Sequence, residues 1–365
     1  MAVYKIFASA DATIYSSSPS ENTGLDEILE IGCFNENVAL TVSGENTSDD
    51  LRRALIKFDY NDIGNAYSLI SGSYDVNLRL YLANATDLSI PYTISVNRID
   101  LDWVMGTGKR QDIPINKNGV CWTNTGSYSS SVDHRWAVDY YLTPGGGGWT
   151  DDGLSQSFGY KDNKDLNVSV YDIVSNWISN SGSDNFGIIA KLADSIEQNP
   201  DSSIGLSFFS VDTHTIYPPT LEFKWDDSTY NTGSLGVVSN SNTIITLANN
   251  LGDYKVGQYD GFYNFRISAR DKYPQRAFVT SSVYTINKAL PATSYWAIQD
   301  VKTEEMVVDF DTNYTKISCD SIGSFFSIYT NGLEPERYYK ILIKVLLDSG
   351  ESLLVDNNTT FKIIR

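Results

Sequence analysis

Short apolar segments separated by turn residues recur along the whole chain, and this spacing restricts the fold more than any other feature of the sequence. Each segment in the first 225 residues has four to seven residues and is flanked by polar residues that favour turns, such as Asn, Asp, Ser and Gly. These segments are Ile28–Gly32, Ala54–Phe58, Val76–Leu82, Tyr92–Val96, Phe186–Lys191, Leu206–Phe209 and Thr220–Trp225. Short strands at such close intervals predict an all-β sandwich or barrel.

The segment 76–82 (VNLRLYL) has the period of a half-buried strand. Because successive side chains of a strand point to opposite faces, its strict alternation predicts one buried face and one solvated face. The buried face would carry Val76, Leu78, Leu80 and Leu82, and the solvated face Asn77, Arg79 and Tyr81.

One stretch, residues 165–180, has a helical period instead. Its large apolar residues recur at spacings of three and four: Val170, Ile173, Val174, Trp177 and Ile178. With Gly182 shortly after them, these spacings predict a single short helix that places Trp177 in the core.

The chain has 365 residues, more than one hydrophobic core usually serves, and a polar stretch divides its apolar segments. We predict a β-sandwich over residues 1–225 with a Gly-rich insertion at 103–160, a linker at 226–242 and a C-terminal β-sandwich over 243–365. The strands expected after the linker are Thr243–Leu247, Tyr263–Ala269, Ala277–Thr285, Glu305–Phe310, Phe325–Tyr329, Tyr338–Leu347 and Thr359–Ile364.

The end of the second domain has a local likeness to a known fold. The run 338–347 (YYKILIKVLL) alternates and precedes the turn 348–350 (DSG), which predicts a long hairpin with the final strand Thr360–Ile364. Upstream, the sequence Leu333-Glu334-Pro335 before Tyr338-Tyr339 resembles the immunoglobulin-like and fibronectin-type arrangement of a turn before a Tyr-bearing strand. The resemblance implies a domain of that kind.

The net charge and the lack of long apolar runs exclude two classes of partner, and the cysteines indicate the redox compartment. A formal net charge of −18 opposes binding to phosphate backbones, so we expect no nucleic-acid partner. No apolar run approaches the length of a membrane span, and the N-terminus has no signal-peptide pattern, so we expect no membrane partner. The three separated cysteines, Cys33, Cys121 and Cys319, predict buried free thiols rather than a disulfide framework, which suggests assembly in a reducing compartment.

The sequence contains few residues in spacings that suit catalysis or metal binding. His134 and His214 lack a metal-binding spacing, although His214 could join Asp212 and Asp133; we favour a surface or capping role. Acidic pairs could in principle cleave glycosidic bonds, but such pairs arise by chance among 45 acids. The pairs are Asp49-Asp50, Asp100 with Asp102, Asp151-Asp152, Asp226-Asp227 and Glu304-Glu305. We predict no catalytic residue, no cofactor and no metal site.

Two loops leave one metal alternative open. The Asp-rich segments 162–165 (DNKD) and 309–313 (DFDTN) offer oxygen ligands of the kind that calcium prefers, without an EF-hand pattern. Structural calcium therefore stays an unsupported alternative. The run Gly145–Gly148 lacks the Lys and Ser or Thr of a phosphate loop, and we interpret it as a flexible segment.

The insertion region contains the one set of candidate ligand residues, Trp103, Trp122, Trp136 and Trp149. These rings could form a platform on which a sugar stacks, or they could be buried in the core or in a protein interface. We favour burial and keep the platform as an alternative.

Taken in order, several motifs are similar to those of the DNRLRE-type domain, a jelly-roll β-sandwich related in shape to carbohydrate-binding modules. They are Asp11–Tyr15 (DATIY), Ile28–Gly32 (ILEIG), Arg53–Asp59 (RALIKFD), Leu78–Leu82 (LRLYL), Val170–Trp177, Asn185–Ile189 (NFGII), Phe208–Ser210 and Tyr217–Phe223 (YPPTLEF). The resemblance covers roughly residues 3–225 and departs from the family in the long insertion and in the lack of a secretion signal. It implies a jelly-roll fold and a binding or structural role with no catalytic residues to carry over.

The combination of acidic, β-rich and cystine-free character with no signal peptide looks like a virion component of a tailed bacteriophage, from the tail, baseplate, neck or fibre. The expected partners are other virion proteins and further copies of the chain in a symmetric assembly. The alternatives are a carbohydrate-binding module that attaches to a surface glycan and, with least support, a polysaccharide-degrading enzyme.

Overall fold

A computed structural model describes residues 2–34, 50–86, 91–126, 135–138, 141–142, 145–198, 203–256, 261–274 and 286–365. The described residues form 24 strands and three short helices, so the all-β prediction is confirmed. The strands are β1 Ala2–Phe7, β2 Ala10–Tyr15, β3 Ile28–Phe34, β4 Asp50–Lys57, β5 Tyr74–Leu80, β6 Leu82–Thr86, β7 Tyr92–Ile99, β8 Ala137–Val138, β9 Tyr141–Leu142, β10 Trp149–Phe158, β11 Leu166–Ser169, β12 Ile188–Leu192, β13 Ser203–Phe209, β14 Thr220–Trp225, β15 Thr243–Leu247, β16 Asp253–Lys255, β17 Phe262–Asp271, β18 Ser294–Asp300, β19 Met306–Val308, β20 Ser318–Cys319, β21 Ser324–Tyr329, β22 Tyr338–Leu346, β23 Ser352–Val355 and β24 Thr360–Ile364. The helices are α1 Tyr60–Leu69, α2 Tyr171–Ser179 and α3 Asp194–Glu197.

The chain divides into two compact units that are not continuous in sequence. The larger unit comprises Ile6–Ser68 and Val76–Glu222, and the smaller unit comprises Met1–Lys5, Leu69–Asp75 and Phe223–Arg365. The sequence predicts a linker at 226–242. In the structure this segment belongs to the smaller unit and contributes the buried side chain of Val238 to its core.

The central sheet of the larger unit has eight strands in the order β10-β7-β12-β4-β3-β13-β6, with β2 also paired to β4. Its described pairs are antiparallel, as in the register Ile189↔Leu55 between β12 and β4. A second sheet has the order β1-β14-β5-β11. Apolar side chains of the central sheet, including Ile14, Leu55 and Ile189, form one cluster with Trp103 and Trp136 of the predicted insertion. The insertion therefore covers one face of this sheet.

Strand β10 lies inside the predicted insertion, where the sequence gives little sign of regular structure. It pairs with β7 from Trp149↔Ile99 to Phe158↔Tyr92. Apart from Leu154, its residues 150–157 are polar or Gly, every second side chain is exposed and the side chains between them are only half-buried. A period-two search for apolar residues therefore misses it.

The segment 76–82 behaves as one strand only in part. Val76, Leu78 and Leu80 are buried as predicted, but the strand breaks at Tyr81, and Leu82 begins β6 of the central sheet. The other face is not fully solvated either, because the Arg79 guanidinium forms a buried ion pair with the carboxylate of Glu222 at 3.0 Å.

The predicted helix exists, but it starts later and is not alone. Residues Leu166–Ser169 form β11, which pairs with β5, and the helix α2 begins at Tyr171. Trp177 is fully buried, as predicted. The prediction of one helix is wrong, since α1 buries Ile63 and Ala66 at a spacing of three, and α3 adds a single turn.

The smaller unit is a β-sandwich with its own core. One sheet has the order β15-β17-β21-β20, and the other has the order β16-β24-β22-β18-β19, with β23 also on β22. Side chains from both sheets share one hydrophobic cluster, in which Trp296 of one sheet stacks on Phe326 of the other at 5.3 Å between ring centroids. Such interdigitation of two inner faces defines a sandwich.

The local likeness near residue 339 has a structural counterpart. The buried Tyr339 hydroxyl donates a hydrogen bond of 3.1 Å to the backbone carbonyl of Glu334, five residues upstream, which is the geometry of a tyrosine corner. The long strand β22 is correctly predicted, but the strand that follows the turn at 348–350 is not the predicted final strand. Strand β23 returns directly after Gly350, and β24 pairs with the first residues of β22.

The three cysteines are free and buried, as the sequence predicts. The strand expected at 277–285 lies outside the described residues.

Candidate functional site

The loop 105–120 of the larger unit, here called the stem loop, is organised around the side chain of Asn22. This side chain is fully buried, and its amide nitrogen donates to the carbonyls of Met105 and Val120 at 2.7 and 2.8 Å. Its amide oxygen accepts from the backbone N–H of Gly108 at 2.7 Å. One side chain thus joins both ends of the loop, because an Asn amide is both a donor and an acceptor.

Glycines make this close packing possible. A Cβ atom at Gly106 would lie 2.0 Å from the Asn118 carbonyl oxygen and 2.4 Å from the Asn22 amide oxygen, and the backbone there has φ of +84°. A Cβ at Gly119, with φ of +129°, would also collide with Asn22. Both positions therefore require the freedom of glycine.

A second set of bonds holds the outer part of the stem loop. The Arg110 guanidinium pairs with the buried carboxylate of Glu21 at 2.6 Å, and the backbone N–H of Arg110 donates to the Asp26 carboxylate. The backbone N–H of Gln111 donates to the same Glu21 carboxylate at 2.6 Å. Arg110 also lies 3.8 Å over the ring of Tyr15 in β2. These contacts fix the loop up to residue 111.

Beyond residue 111 the stem loop presents an apolar tip to solvent, formed by Ile113, Pro114 and Ile115. Ile113 is 99% exposed and Ile115 is 50% exposed, and residues 112–118 line a surface depression of about 650 Å³. Single exposed aliphatic side chains are common on protein surfaces, whereas adjacent ones such as these form a contiguous patch of the kind found at binding surfaces. Sequence reasoning missed this site; the available signal was an apolar triplet between Gly106, Gly108 and Gly119 in a polar segment.

The four candidate tryptophans lie in or beside one hydrophobic cluster, but they differ in burial. Trp103 and Trp136 are buried, and their indole N–H groups donate to the carbonyls of Phe186 and Cys121. Trp122 and Trp149 are half-buried at the margin of the same cluster. Trp103 and Trp136 are therefore core residues, and only Trp122 and Trp149 of the four are partly exposed.

The rings of Trp122 and Trp149 both contact Arg53 of β4. The guanidinium carbon lies 5.0 Å from the Trp122 centroid and 4.9 Å from the Trp149 centroid. Arg53 is itself buried and forms two hydrogen bonds with the Glu197 carboxylate, of 3.1 and 2.8 Å. Lys191 approaches the same carboxylate and the ring of Trp149. This cluster joins α3, β4 and β12 to the insertion.

The Gly145–Gly148 run packs against this cluster, and its interpretation as a flexible segment is not borne out by its environment. Gly145, Gly146 and Gly147 are buried with positive φ, and the Arg53 guanidinium donates to the Gly145 carbonyl at 2.6 Å. A Cβ on Gly146 would lie 2.7 Å from Ile189 in the sheet. The glycines allow the backbone to cross the sheet face at close range.

The histidines do not form a site in the described part of the chain. His214 is exposed, and His134 and Asp133 lie outside the described residues. Burial raises the pKa of the nearby Asp212, and the charge of Glu27 raises it further, whereas Lys109 and His214 lower it.

Most acidic pairs suggested by the sequence make loop hydrogen bonds. Asp100 accepts from Thr150, Asp102 pairs with Lys57, and Asp151 and Asp152 accept from backbone N–H groups. Asp226 accepts from Ser228, whereas Asp49 lies outside the described residues.

The two Asp-rich loops likewise have internal partners. Asp162 accepts from the Gly159 N–H, Asp165 from the Leu82 N–H, and Asp311 from the Asn313 N–H. Among the residues that the structure describes, no group of three or more His, Cys, Asp and Glu side chains could hold a metal ion.

One buried carboxylate stands out electrostatically. Asp11 of β2 is 1% exposed and accepts a hydrogen bond of 2.7 Å from the Val211 N–H. Burial raises its pKa to about 8, although the Val211 bond lowers the pKa and the Asp212 charge raises it further. The Asp11 carboxyl is therefore mostly protonated at neutral pH.

No known family model matches this chain, and no curated protein matches its sequence. None of the helices within the described ranges is long and apolar enough to cross a membrane.

Proposed function

We propose that this chain is a structural component of a tailed-bacteriophage particle that acts through protein–protein interfaces and carries out no catalysis. The observation that carries the proposal is the apolar tip of the stem loop. Ile113 at this tip is almost completely exposed. Burial of the tip by a partner would stabilise the complex by about 25 cal/mol for each Å² of apolar surface removed from water.

The hydrogen bonds that Asn22 and Glu21 make with the stem loop suit the tip to recognition of a partner. Asn22 and Glu21 hold the loop on both sides of residues 112–118, so docking does not have to order the loop first. A rigid support of this kind is what a specific interface requires.

The assignment to a phage particle rests on the sequence: the resemblance to the DNRLRE-type jelly roll, the acidic charge and the free cysteines. The sandwich sheets and the buried thiols agree with a rigid component that needs no disulfides. We propose a virion location and other virion proteins as partners on these grounds.

The test is to purify particles from a lysed culture by density gradient and to measure the copy number of this chain by quantitative mass spectrometry. The proposal expects a fixed copy number that fits the particle symmetry. The Ile113→Asp/Ile115→Asp double variant should be lost from particles, whereas Ile322→Asp, at a site 70% exposed in the smaller unit, should be incorporated normally. Wild-type chain found only in the free fraction would overturn the proposal.

A carbohydrate-binding role is the second candidate, because Trp122 and Trp149 are partly exposed beside Arg53. A sugar would stack on the open ring surface, and the platform would consist of these two residues alone. Trp103 and Trp136 are unsuitable as probes, since their removal would open a cavity in the core.

A glycan array with the wild-type chain and with Trp122→Leu and Trp149→Leu tests this role. Retained folding with a loss of glycan binding in both variants would support it. Absence of binding by the wild-type chain across the array would remove this candidate and leave the structural role in place.

A further inference from the structure

Residues 2–5 of β1, here called the N-terminal strand, belong to the smaller unit, whose other segments are Leu69–Asp75 and Phe223–Arg365. All four residues are buried, Ala2 completely. Because successive side chains of a strand point to opposite faces, this burial means that both faces of the strand are covered. The smaller unit therefore holds the strand in a groove.

The groove has a different partner for each side chain. Val3 joins the hydrophobic core of the sandwich. The Tyr4 ring meets the Tyr329 ring edge to face at 5.5 Å between centroids, and the Tyr4 hydroxyl accepts a hydrogen bond of 3.1 Å from the side-chain amide of Asn331. Apolar, aromatic and polar groups of the groove thus all contact the strand.

Lys5 adds a contact that depends on its exact position. Its ammonium donates a hydrogen bond to the backbone carbonyl of Val307 in β19. A buried ammonium is costly without such a partner, so a shift of the strand along the groove would be unfavourable. Strand β14 lies beside β1 in the sheet and fixes its backbone as well.

Gly332 leaves the space through which the N-terminal strand passes. A Cβ atom at this position would lie 2.1 Å from the Lys5 Cβ and 2.9 Å from the Lys5 Cα, and Lys5 supplies the three nearest atoms. Gly332 does not have the left-handed φ that favours glycine. Passage of the strand, rather than the local backbone conformation, therefore requires a residue without a side chain here.

The N-terminal strand and its groove are a ligand and a receptor within one chain. Every copy of the chain carries both, so the strand of one copy can make the same contacts in the groove of another. Exchange of an identical element loses no contact and is a low-cost route to oligomers. Binding between copies is then favoured by a high local concentration of copies, which a symmetric assembly provides.

We propose that copies of this chain are joined by exchange of the N-terminal strand, with residues 2–5 of one copy bound in the groove of the next. On the receiving copy the strand contacts Val307, Tyr329, Asn331 and Gly332. The inference rests on the proposed function, because it names a second interface, besides the stem loop, through which the chain acts in an assembly.

Sedimentation velocity of the purified chain over a range of protein concentrations tests the inference. Wild type should form oligomers whose size increases with concentration. Gly332→Val should weaken association at least about tenfold, because the new side chain overlaps the position of Lys5. Gly236→Val is the matched control in the smaller unit, since no atom lies within 4 Å of its Cβ position, and it should associate as wild type does.

A mixture of two variants separates strand exchange from contact through any other surface. Val3→Asp damages the strand and leaves the groove intact, whereas Gly332→Val blocks the groove and leaves the strand intact. Each variant alone should be monomeric. Their mixture should form a dimer with one copy of each, because the intact strand of one fills the intact groove of the other.

Circular dichroism establishes that each variant is folded, and Gly332→Ala and Val3→Ala are the milder replacements for a variant that unfolds. Wild type that stays monomeric at every concentration would overturn the inference. So would a mixture that does not dimerise, or association that is unchanged when Gly332 is replaced.

The two proposals fail separately. Wild type that is monomeric in solution but present in particles at a fixed copy number would overturn strand exchange and leave the proposed function standing. Oligomers that depend on strand exchange, formed by a chain absent from particles, would leave the inference standing and overturn the proposed function.

Discussion

The guanidinium of Arg53 and the carboxylate of Glu197 form a two-point ion pair, with Nε–Oε1 at 3.1 Å and Nη2–Oε2 at 2.8 Å. Both residues are buried, and the rings of Trp122 and Trp149 cover the guanidinium. Glu197 belongs to the single turn α3, which is too short to be stable alone. The ion pair therefore attaches this turn to the central sheet.

We predict that Glu197→Gln destabilises the fold by about 3–5 kcal/mol, because it leaves the buried Arg53 charge unpaired. Urea unfolding followed by tryptophan fluorescence measures the loss. Asp356→Asn breaks the ion pair with Lys340 on the smaller unit, where solvent screens the charges, and should change stability little. An equal effect of the two substitutions would contradict the structural role of the Arg53–Glu197 pair.

The raised pKa of Asp11 predicts that stability depends on pH. The carboxyl holds its proton up to about pH 8 in the folded chain but loses it near 3.8 when unfolded. The folded chain thus binds one more proton between these values, and this group lowers the free energy of unfolding as pH rises, by about 1.4 kcal/mol per pH unit. Below pH 3.8 its contribution is complete.

Asp11→Asn isolates this contribution, because the amide oxygen can still accept from Val211 and carries no charge. The variant should gain stability relative to wild type as pH rises from 5 to 8, measured as the difference in urea midpoints. A difference that stays constant over this range would show that Asp11 ionises with an ordinary pKa.

Gly106 and Gly64 form an informative pair in the larger unit. Gly106→Ala would place a methyl group against the Asn118 carbonyl and Asn22 at positive φ, and we predict a loss of about 2 kcal/mol or more. Gly64 lies in α1 with no atom within 4 Å of the Cβ position, so Gly64→Ala should stabilise by about 0.5–1 kcal/mol. Thermal unfolding of the two variants measures both signs.

The Tyr339 hydroxyl supplies a fourth test. Tyr339→Phe removes the hydrogen bond to the Glu334 carbonyl and should cost about 1 kcal/mol. Tyr338→Phe, one residue earlier and 56% exposed, should be close to neutral. Urea unfolding compares the two, and similar losses would exclude a specific role for the corner.

Period-two patterns predicted the strands well where one face is buried, as in Val76, Leu78 and Leu80. They failed for β10, which has few apolar side chains, and for the break at Tyr81, which depends on tertiary bonds such as the Leu82 N–H to Asp165. Helix α1 was missed because Ile63 and Ala66 are its only buried residues and Gly64 lowers its propensity.

The candidate site was harder to predict. The tryptophans were identified as a group, but their separation into buried Trp103 and Trp136 and half-buried Trp122 and Trp149 depends on which ring reaches the sheet. The stem loop depends on Asn22, more than eighty residues upstream of Met105 and Gly108, and no local pattern reports such a contact.

The stem loop also separates two evolutionary demands. Asn22, Glu21 and Gly106 determine the loop conformation, whereas the exposed side chains of Ile113 and Ile115 make fewer demands on the fold. Substitutions at these two positions can therefore accumulate with little loss of stability, and a lineage of such chains could change its binding partner by altering two residues on an unchanged scaffold.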